Sequence, residues 1–135
     1  MSNTTPAPRG LNIGLWIVQV LVAAPFILFG SMKLFKQIET LSASMAWTGT
    51  FPEAVVRLIG IIDIAGGLGL LLPGITGIKP DLTRIAAIGS LVLQVCAALF
   101  HLSRGEGGML PINGFFIVLL IFILWGRARA PLEAR

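Results

Sequence analysis

The sequence predicts an all-α, membrane-embedded antiparallel four-helix bundle. Hydrophobic residues make up 56% of the 135 residues and charged residues only 12%, whereas an average soluble domain carries about 25% charged residues. A soluble domain of this size buries only roughly 60–70% of the surface that its unfolded chain exposes. Lipid must therefore cover part of the apolar surface, and four charge-poor stretches are each close to the ~20 residues that cross a bilayer.

Charged residues set the limits of the four predicted spans, 11–33, 54–73, 83–103 and 110–126. The first and the fourth contain no charge between their flanking charged residues. Asp63 interrupts the second, and Cys96 and His101 are the titratable residues between the two arginines that bound the third. The stretches are continuously apolar rather than alternating, which favours helices over a β-barrel.

The connections between the spans complete a single predicted domain over 1–135. Residues 1–10 are expected to form a disordered cytoplasmic lead. Residues 35–52 form an extracytoplasmic loop or an interfacial helix, because Leu34, Ile38, Leu41 and Met45 follow helical spacing and Trp47 suits the headgroup region. The other two connections are short and rich in Gly and Pro, so neighbouring helices must be antiparallel.

The distribution of basic residues predicts both orientation and class of partner. One side of the predicted bundle carries six basic residues, which are Arg9, Lys79, Arg84, Arg127, Arg129 and Arg135. The other side carries four, which are Lys33, Lys36, Arg57 and Arg104. The positive-inside rule then places both termini in the cytoplasm of a cell carrying this protein in its inner membrane. Basic residues at the ends of apolar stretches do not indicate nucleic-acid binding, so the expected partners are the lipid bilayer and a protein partner or a second copy of the chain.

Cysteine and histidine content limits the possible chemistry. The chain has one Cys and one His, so it forms no internal disulfide or CxxC pair. A metal centre of the usual His/Cys type is likewise not expected within one chain.

Polar residues within the spans are the candidate functional residues, because a polar group at membrane depth is costly. Asp63 lies near the middle of the second span, with Gly60 and Gly67 on the same helical face. Two further polar stripes keep helical spacing, one through Gln19 and Lys33 and one through Gln94 and His101. Their convergence predicts a polar pocket open to the outside, formed by Asp63, Lys33, His101, Arg57, Gln94, Gln19 and Ser90, with helix packing at Gly30, Gly60, Gly66 and Gly67.

Each of these residues also has a purely structural interpretation. Asp63 could hydrogen-bond a neighbouring helix. Lys33 and Arg57 could extend to the lipid headgroups, and His101 could bond a loop carbonyl. The fourth span carries few polar residues, and we interpret it mainly as packing and lipid contact.

Several short motifs resemble the DoxX-like family of small membrane proteins. Gly30–Leu34 resembles the G-x-x-K-L that ends the family's first helix, and Leu58–Leu68 resembles its second-helix signature, in which Glu is usual where Asp63 stands here. Trp125–Arg127 resembles the family's G-R ending. The resemblance implies a four-helix membrane bundle. It also implies a link to subunits of thiosulfate:quinone oxidoreductases, to membrane redox complexes that handle thiols or superoxide, or to assembly chaperones.

Three functional hypotheses follow. The chain is an accessory or assembly subunit for a membrane-associated redox system, or it is a quinone- or thiol-linked oxidoreductase subunit with an outward-facing polar pocket. The third hypothesis is a small oligomeric transporter, although no pair of broken spans in matching halves is present. A quinone is the cofactor that the second hypothesis implies.

Overall fold

Four long helices and one short helix make up the described part of the chain. The computed structural model describes residues 9–44, 49, 51–105 and 110–131. Within them the helices are α1 Arg9–Phe35, α2 Ile38–Ser44, α3 Glu53–Thr76, α4 Asp81–Ser103 and α5 Leu110–Arg129. The four long helices begin and end within a few residues of the predicted spans, and each is long and apolar enough to cross a membrane.

The long helices form a ring in which each contacts two neighbours. Helix α3 packs between α1 and α4, and α5 closes the ring by packing against α4 and α1. Large aliphatic side chains project outward from all four, as at Leu28, Leu58, Leu99 and Val118, each more than half exposed. Because bare hydrocarbon on every outer face is stable only in lipid, the predicted membrane-embedded four-helix bundle is confirmed.

The connection between α1 and α3 contains α2, on which Leu41 is fully buried. The position of α2 at the membrane surface stays a prediction. Met45 and Trp47 lie outside the described residues, as do residues 1–8 of the expected lead. Helix α1 already begins at Arg9.

An apolar core at mid-depth joins the four helices. Val22, Phe26, Leu70, Leu120 and Ile123 pack there with almost no exposure. Core packing of this kind fixes the rotation of each helix about its own axis, and so decides which polar side chains meet.

Helix α3 contains Pro73, and the structure satisfies the carbonyl that this proline leaves without a partner. Proline has no N–H, so the carbonyl oxygen four residues earlier, on Gly69, loses its helical hydrogen bond. The hydroxyl of Thr83 on α4 donates to that oxygen at 3.0 Å. The hydrogen bond joins α3 to α4 near their connecting turn.

Candidate functional site

A cavity of about 410 Å³ lies within the bundle, toward the end where α1 finishes and α3 begins. All four long helices line it, together with Phe51 just before α3. Its aromatic walls come from Phe26, Phe29, Phe51, Phe100 and Phe116. Its polar lining comes from Lys33, Asp63, Gln94, His101 and Asn113.

An ion pair joins α1 to α3 at the edge of this cavity. The Lys33 Nζ donates to Asp63 Oδ2 at 2.6 Å, and the two side chains are 14% and 5% exposed. Two charges taken out of water are tolerated only with close pairing, and this short charge-assisted hydrogen bond supplies it. Asp63 therefore has a structural partner and at the same time faces the cavity.

Glycines make the ion pair possible by bringing α1 and α3 into close contact. A Cβ on Gly30 would lie 2.8 Å from the Gly60 carbonyl oxygen, and one on Gly60 would lie 2.7 Å from the Gly30 carbonyl oxygen. The oxygens at these short distances belong to the helix backbone, so they cannot move aside as a flexible side chain could. The helices cross at a point where only glycine fits. Lys33 follows Gly30 by three residues, and Asp63 follows Gly60 by three residues.

A pair of side-chain amides joins α4 to α5 on the other side of the cavity. Asn113 Nδ2 donates to Gln94 Oε1 at 2.9 Å. Asn113 is 8% exposed, and its Oδ1 is buried without a hydrogen-bond partner. Buried amide oxygens are normally satisfied, so Asn113, which also lines the cavity, retains one unused hydrogen-bond acceptor.

His101 and the aromatic residues form the cavity wall nearest the α2 end. His101 is 5% exposed, and its ring meets that of Phe100 edge to face at 5.4 Å. Phe51 in turn packs on Phe100 with ring centroids 5.0 Å apart. The connection before α3 therefore covers part of the cavity.

Arg57 supports the cavity without lining it. Its Nη1 donates to the backbone oxygens of Lys33 and Lys36, and its Nη2 pairs with Glu53 at 3.1 Å. The final carbonyls of a helix lack partners within it, and a cation at that end is favourable. Arg57 thereby holds the end of α1, and with it the backbone of Lys33.

Two predicted pocket residues lie elsewhere in the bundle. Gln19 is fully buried near the opposite end and donates to the backbone oxygen of Leu70. It shares a helical face with Lys33, but about four helical turns, roughly 21 Å along the axis, separate them. Ser90 is buried between α4 and α3, where a Cβ on Gly66 would meet its hydroxyl oxygen at 2.5 Å.

Gln19 belongs to a second polar cluster around Arg127. Arg127 Nε donates to Gln19 Oε1 at 2.7 Å, and Nη1 donates to Asn12 Oδ1 at 2.8 Å and to the Ala130 carbonyl at 2.9 Å. The guanidinium also lies over the Trp16 ring, 5.6 Å from its centroid. This cluster ties α1 to α5 at the end of the bundle opposite the cavity.

Helix α5 contributes more than the packing that the sequence suggested. It supplies Asn113 and Phe116 to the cavity and Arg127 to the second cluster. The signal available in the sequence was the single amide of Asn113 in the first turn of a charge-free span, which also suits a helix start. Arg127 looked like an ordinary topology-determining charge.

The packing glycines lie at two interfaces of α3. Gly60 and Gly67 face α1, and a Cβ on Gly67 would lie 2.9 Å from the Ala23 carbonyl oxygen. Gly66 faces α4. Among the described residues there is no group of three or more His, Cys, Asp or Glu side chains that could hold a metal ion.

Comparison with known proteins identifies the family. The model of the DoxX-like family matches residues 17–123, a range that runs from the first turns of α1 to the last turns of α5. The comparisons with curated proteins and with solved structures find no match. The match covers all four spans, both sides of the cavity and the ion pair, and the chain is a multi-pass membrane protein that belongs to the DoxX-like family.

Proposed function

We propose that this protein is a membrane subunit of a redox system and that it binds a quinone-class molecule in its intramembrane cavity. One observation carries the proposal, which is a cavity of about 410 Å³ with aromatic walls and a few convergent polar groups. Binding sites for small molecules commonly measure about 300–1,000 Å³ and have this composition. A quinone combines a flat, apolar ring with polar oxygens at its edge, and the cavity offers a surface for each part.

The route of access supports a ligand that arrives from lipid. Phe29 on α1 is 42% exposed and Ile112 on α5 is 52% exposed, and both also line the cavity. Side chains that belong to the cavity and to the outer surface at once mark an opening between these two helices. A molecule dissolved in the bilayer can place its head group inside while an apolar tail stays in the membrane.

The polar lining supports a ligand that exchanges protons. Reduction of a quinone consumes protons together with electrons. Asp63, Lys33 and His101 are titratable and line the cavity, so proton-carrying groups stand next to the proposed head-group position. Histidine is suited to proton transfer near neutral pH.

We propose that the chain holds the quinone while a partner protein supplies the electrons. This combines the accessory-subunit hypothesis with the quinone-linked hypothesis. The resemblance to the DoxX-like family, which implies a link to subunits of thiosulfate:quinone oxidoreductases, favours it. We further propose that the protein lies in the inner membrane with both termini in the cytoplasm, so that the cavity end faces outward.

A binding measurement on the purified protein tests the proposal. The protein in lipid nanodiscs is titrated with a decyl-substituted benzoquinone, and bound ligand is measured by native mass spectrometry. Ala97 lines the cavity, so Ala97→Phe fills it, and we expect at least a tenfold loss of affinity. Bound quinone that co-purifies with the wild-type protein is expected to be absent from this variant.

A matched variant controls for the added aromatic side chain. Val95 is 41% exposed and lies two residues away on α4, outside the cavity lining. Val95→Phe should therefore bind the quinone as the wild-type protein does. Failure of the folded wild-type protein to bind, or equal affinities for Ala97→Phe and Val95→Phe, would contradict the proposed function.

A further inference from the structure

The amide pair of Gln94 and Asn113 has hydrogen-bonding capacity that the protein itself does not use. The pair joins α4 to α5 through one hydrogen bond, from Asn113 Nδ2 to Gln94 Oε1 at 2.9 Å. Each amide carries one carbonyl oxygen and one NH₂ group. The NH₂ group of Asn113 and the oxygen of Gln94 are thus engaged with each other. The oxygen of Asn113 and the NH₂ group of Gln94 remain.

The remaining groups belong to residues that line the cavity. Asn113 Oδ1 is buried and has no hydrogen-bond partner. Gln94 Nε2 donates to no other described residue.

Complementarity to this pair selects a particular head group. A hydroxyl group both donates and accepts a hydrogen bond, whereas a ketone oxygen only accepts. A hydroxyl at this place satisfies the free amide oxygen and can also accept from the neighbouring NH₂. A ketone leaves the buried oxygen without a donor, which is the costly arrangement for a desolvated polar atom.

The surrounding walls favour an aromatic ring as the carrier of that hydroxyl. Phe26 and Phe116 face each other with ring centroids 5.2 Å apart, and both line the cavity together with Phe100. Aromatic rings pack favourably in offset or edge-to-face contact with one another. The ligand that satisfies both the amides and the walls is therefore a phenol.

We propose that Gln94 and Asn113 form a hydroxyl-binding site, and that the cavity binds a quinol more tightly than the corresponding quinone. The inference rests on the proposed function and adds to it the redox state of the ligand. Asn113 acts as the specificity-determining residue, because its unpaired oxygen distinguishes a donor from an acceptor. Gln94 holds Asn113 in place and supplies the second hydrogen bond.

The experiment compares three ligands that share one ring and one tail, on the purified protein in nanodiscs. They are a decyl-substituted benzoquinone, its quinol kept reduced under anaerobic conditions, and the dimethyl ether of that quinol. We expect the wild-type protein to bind the quinol at least tenfold more tightly than the quinone or the ether. The ether keeps the ring and loses both O–H donors, so this comparison works without any variant.

Substitution then assigns the preference to the amide pair. Asn113→Leu keeps the branched shape of the side chain and removes the acceptor, and we expect the quinol's advantage over the quinone to fall below threefold. Phe115 is 55% exposed on the outer surface of α5 and does not line the cavity. Phe115→Leu should keep the full preference, and size-exclusion and thermal-unfolding profiles check that both variants are folded.

The outcomes separate this inference from the function on which it rests. Equal affinities for the three ligands in the wild-type protein overturn the inference and leave quinone binding intact. A preference that persists in folded Asn113→Leu overturns the role of the amide pair. Binding of none of the three ligands overturns the inference and the proposed function together.

Discussion

At the scale of single residues, polar side chains inside the bundle are stabilised by pairing across helices. Lys33 pairs with Asp63 at 2.6 Å, and Arg127 donates to Gln19 and Asn12 at the other end. Two described side chains keep a buried atom without a partner, Arg127 at Nη2 and Asn113 at Oδ1, although the Asn113 Nδ2 is bonded. Asn113 also lines the cavity, and we propose that a ligand completes its hydrogen bonding.

Removing one member of the Lys33–Asp63 pair is expected to destabilise the bundle. Lys33→Met or Asp63→Leu leaves one polar group buried without its counter-charge, at a cost of about 3 kcal/mol in the free energy of unfolding. The double variant should lose less than either single variant, because both charges are gone. Equilibrium unfolding in mixed detergent micelles measures all three.

An exposed lysine on the same helix end provides the control. Lys36 is exposed, and its side chain takes no part in the pair. Lys36→Met should change stability by no more than about 0.5 kcal/mol. If the losses of the two single variants simply add in the double variant, the two side chains are not energetically coupled and the prediction is wrong.

At the scale of elements, α3 organises the bundle through small residues on two faces. Gly60 and Gly67 let α1 approach, while Gly66 and Gly69 let α4 approach. In lipid, helices associate through close van der Waals packing rather than through the hydrophobic effect. The positions of these glycines therefore determine how closely the polar side chains of α1 and α3 meet.

An alanine at the α1–α3 crossing is expected to separate the two helices. In Gly60→Ala the new Cβ would lie 2.7 Å from the Gly30 carbonyl oxygen and 3.0 Å from Lys33 Cβ. Such overpacking costs about 1–3 kcal/mol and should also weaken quinone binding, since it displaces Lys33. Thermal unfolding and the nanodisc titration measure the two effects.

Gly89 supplies the matched substitution on α4. Its Cβ would meet nothing within 4 Å, so Gly89→Ala changes only the helix propensity, in favour of the helix by up to about 1 kcal/mol. Equal stability losses in Gly60→Ala and Gly89→Ala would show that close approach at the crossing is not what Gly60 provides.

At the scale of the whole molecule, the bundle has two different ends. The cavity lies toward the end near α2, and the Arg127 cluster ties α1 to α5 at the end that carries the termini. We propose that the end with the cavity faces outward.

Reporter fusions at the two termini test this orientation. The positive-inside rule predicts both termini in the cytoplasm, from six basic residues on that side against four on the other. A reporter that is active only in the cytoplasm should therefore give a signal at either terminus. Activity at the C-terminus of a second reporter, one that is active only outside the cytoplasm, would reverse the orientation and the direction in which the cavity end faces.

Much of the candidate site was visible in the sequence, and each exception has a physical cause. Lys33, Asp63, Gln94 and His101 were predicted to share a pocket, and the cavity lining contains all four. Gln19 and Ser90 were grouped with them on helical periodicity, which reports the face of a helix but not the depth of its contacts. Asn113 was missed because one amide near a helix start carries no periodic signal.

The sequence by itself determined the number, length and membrane location of the helices. Transfer of charge into lipid is so costly that charged residues mark the ends of each span, and this information is local. Only the tertiary structure decided which polar residues meet. Packing of Gly30 against Gly60 and of the mid-depth core fixes helix rotation and separation. These long-range contacts place Asp63 beside Lys33 and leave one oxygen of Asn113 without a hydrogen-bond partner.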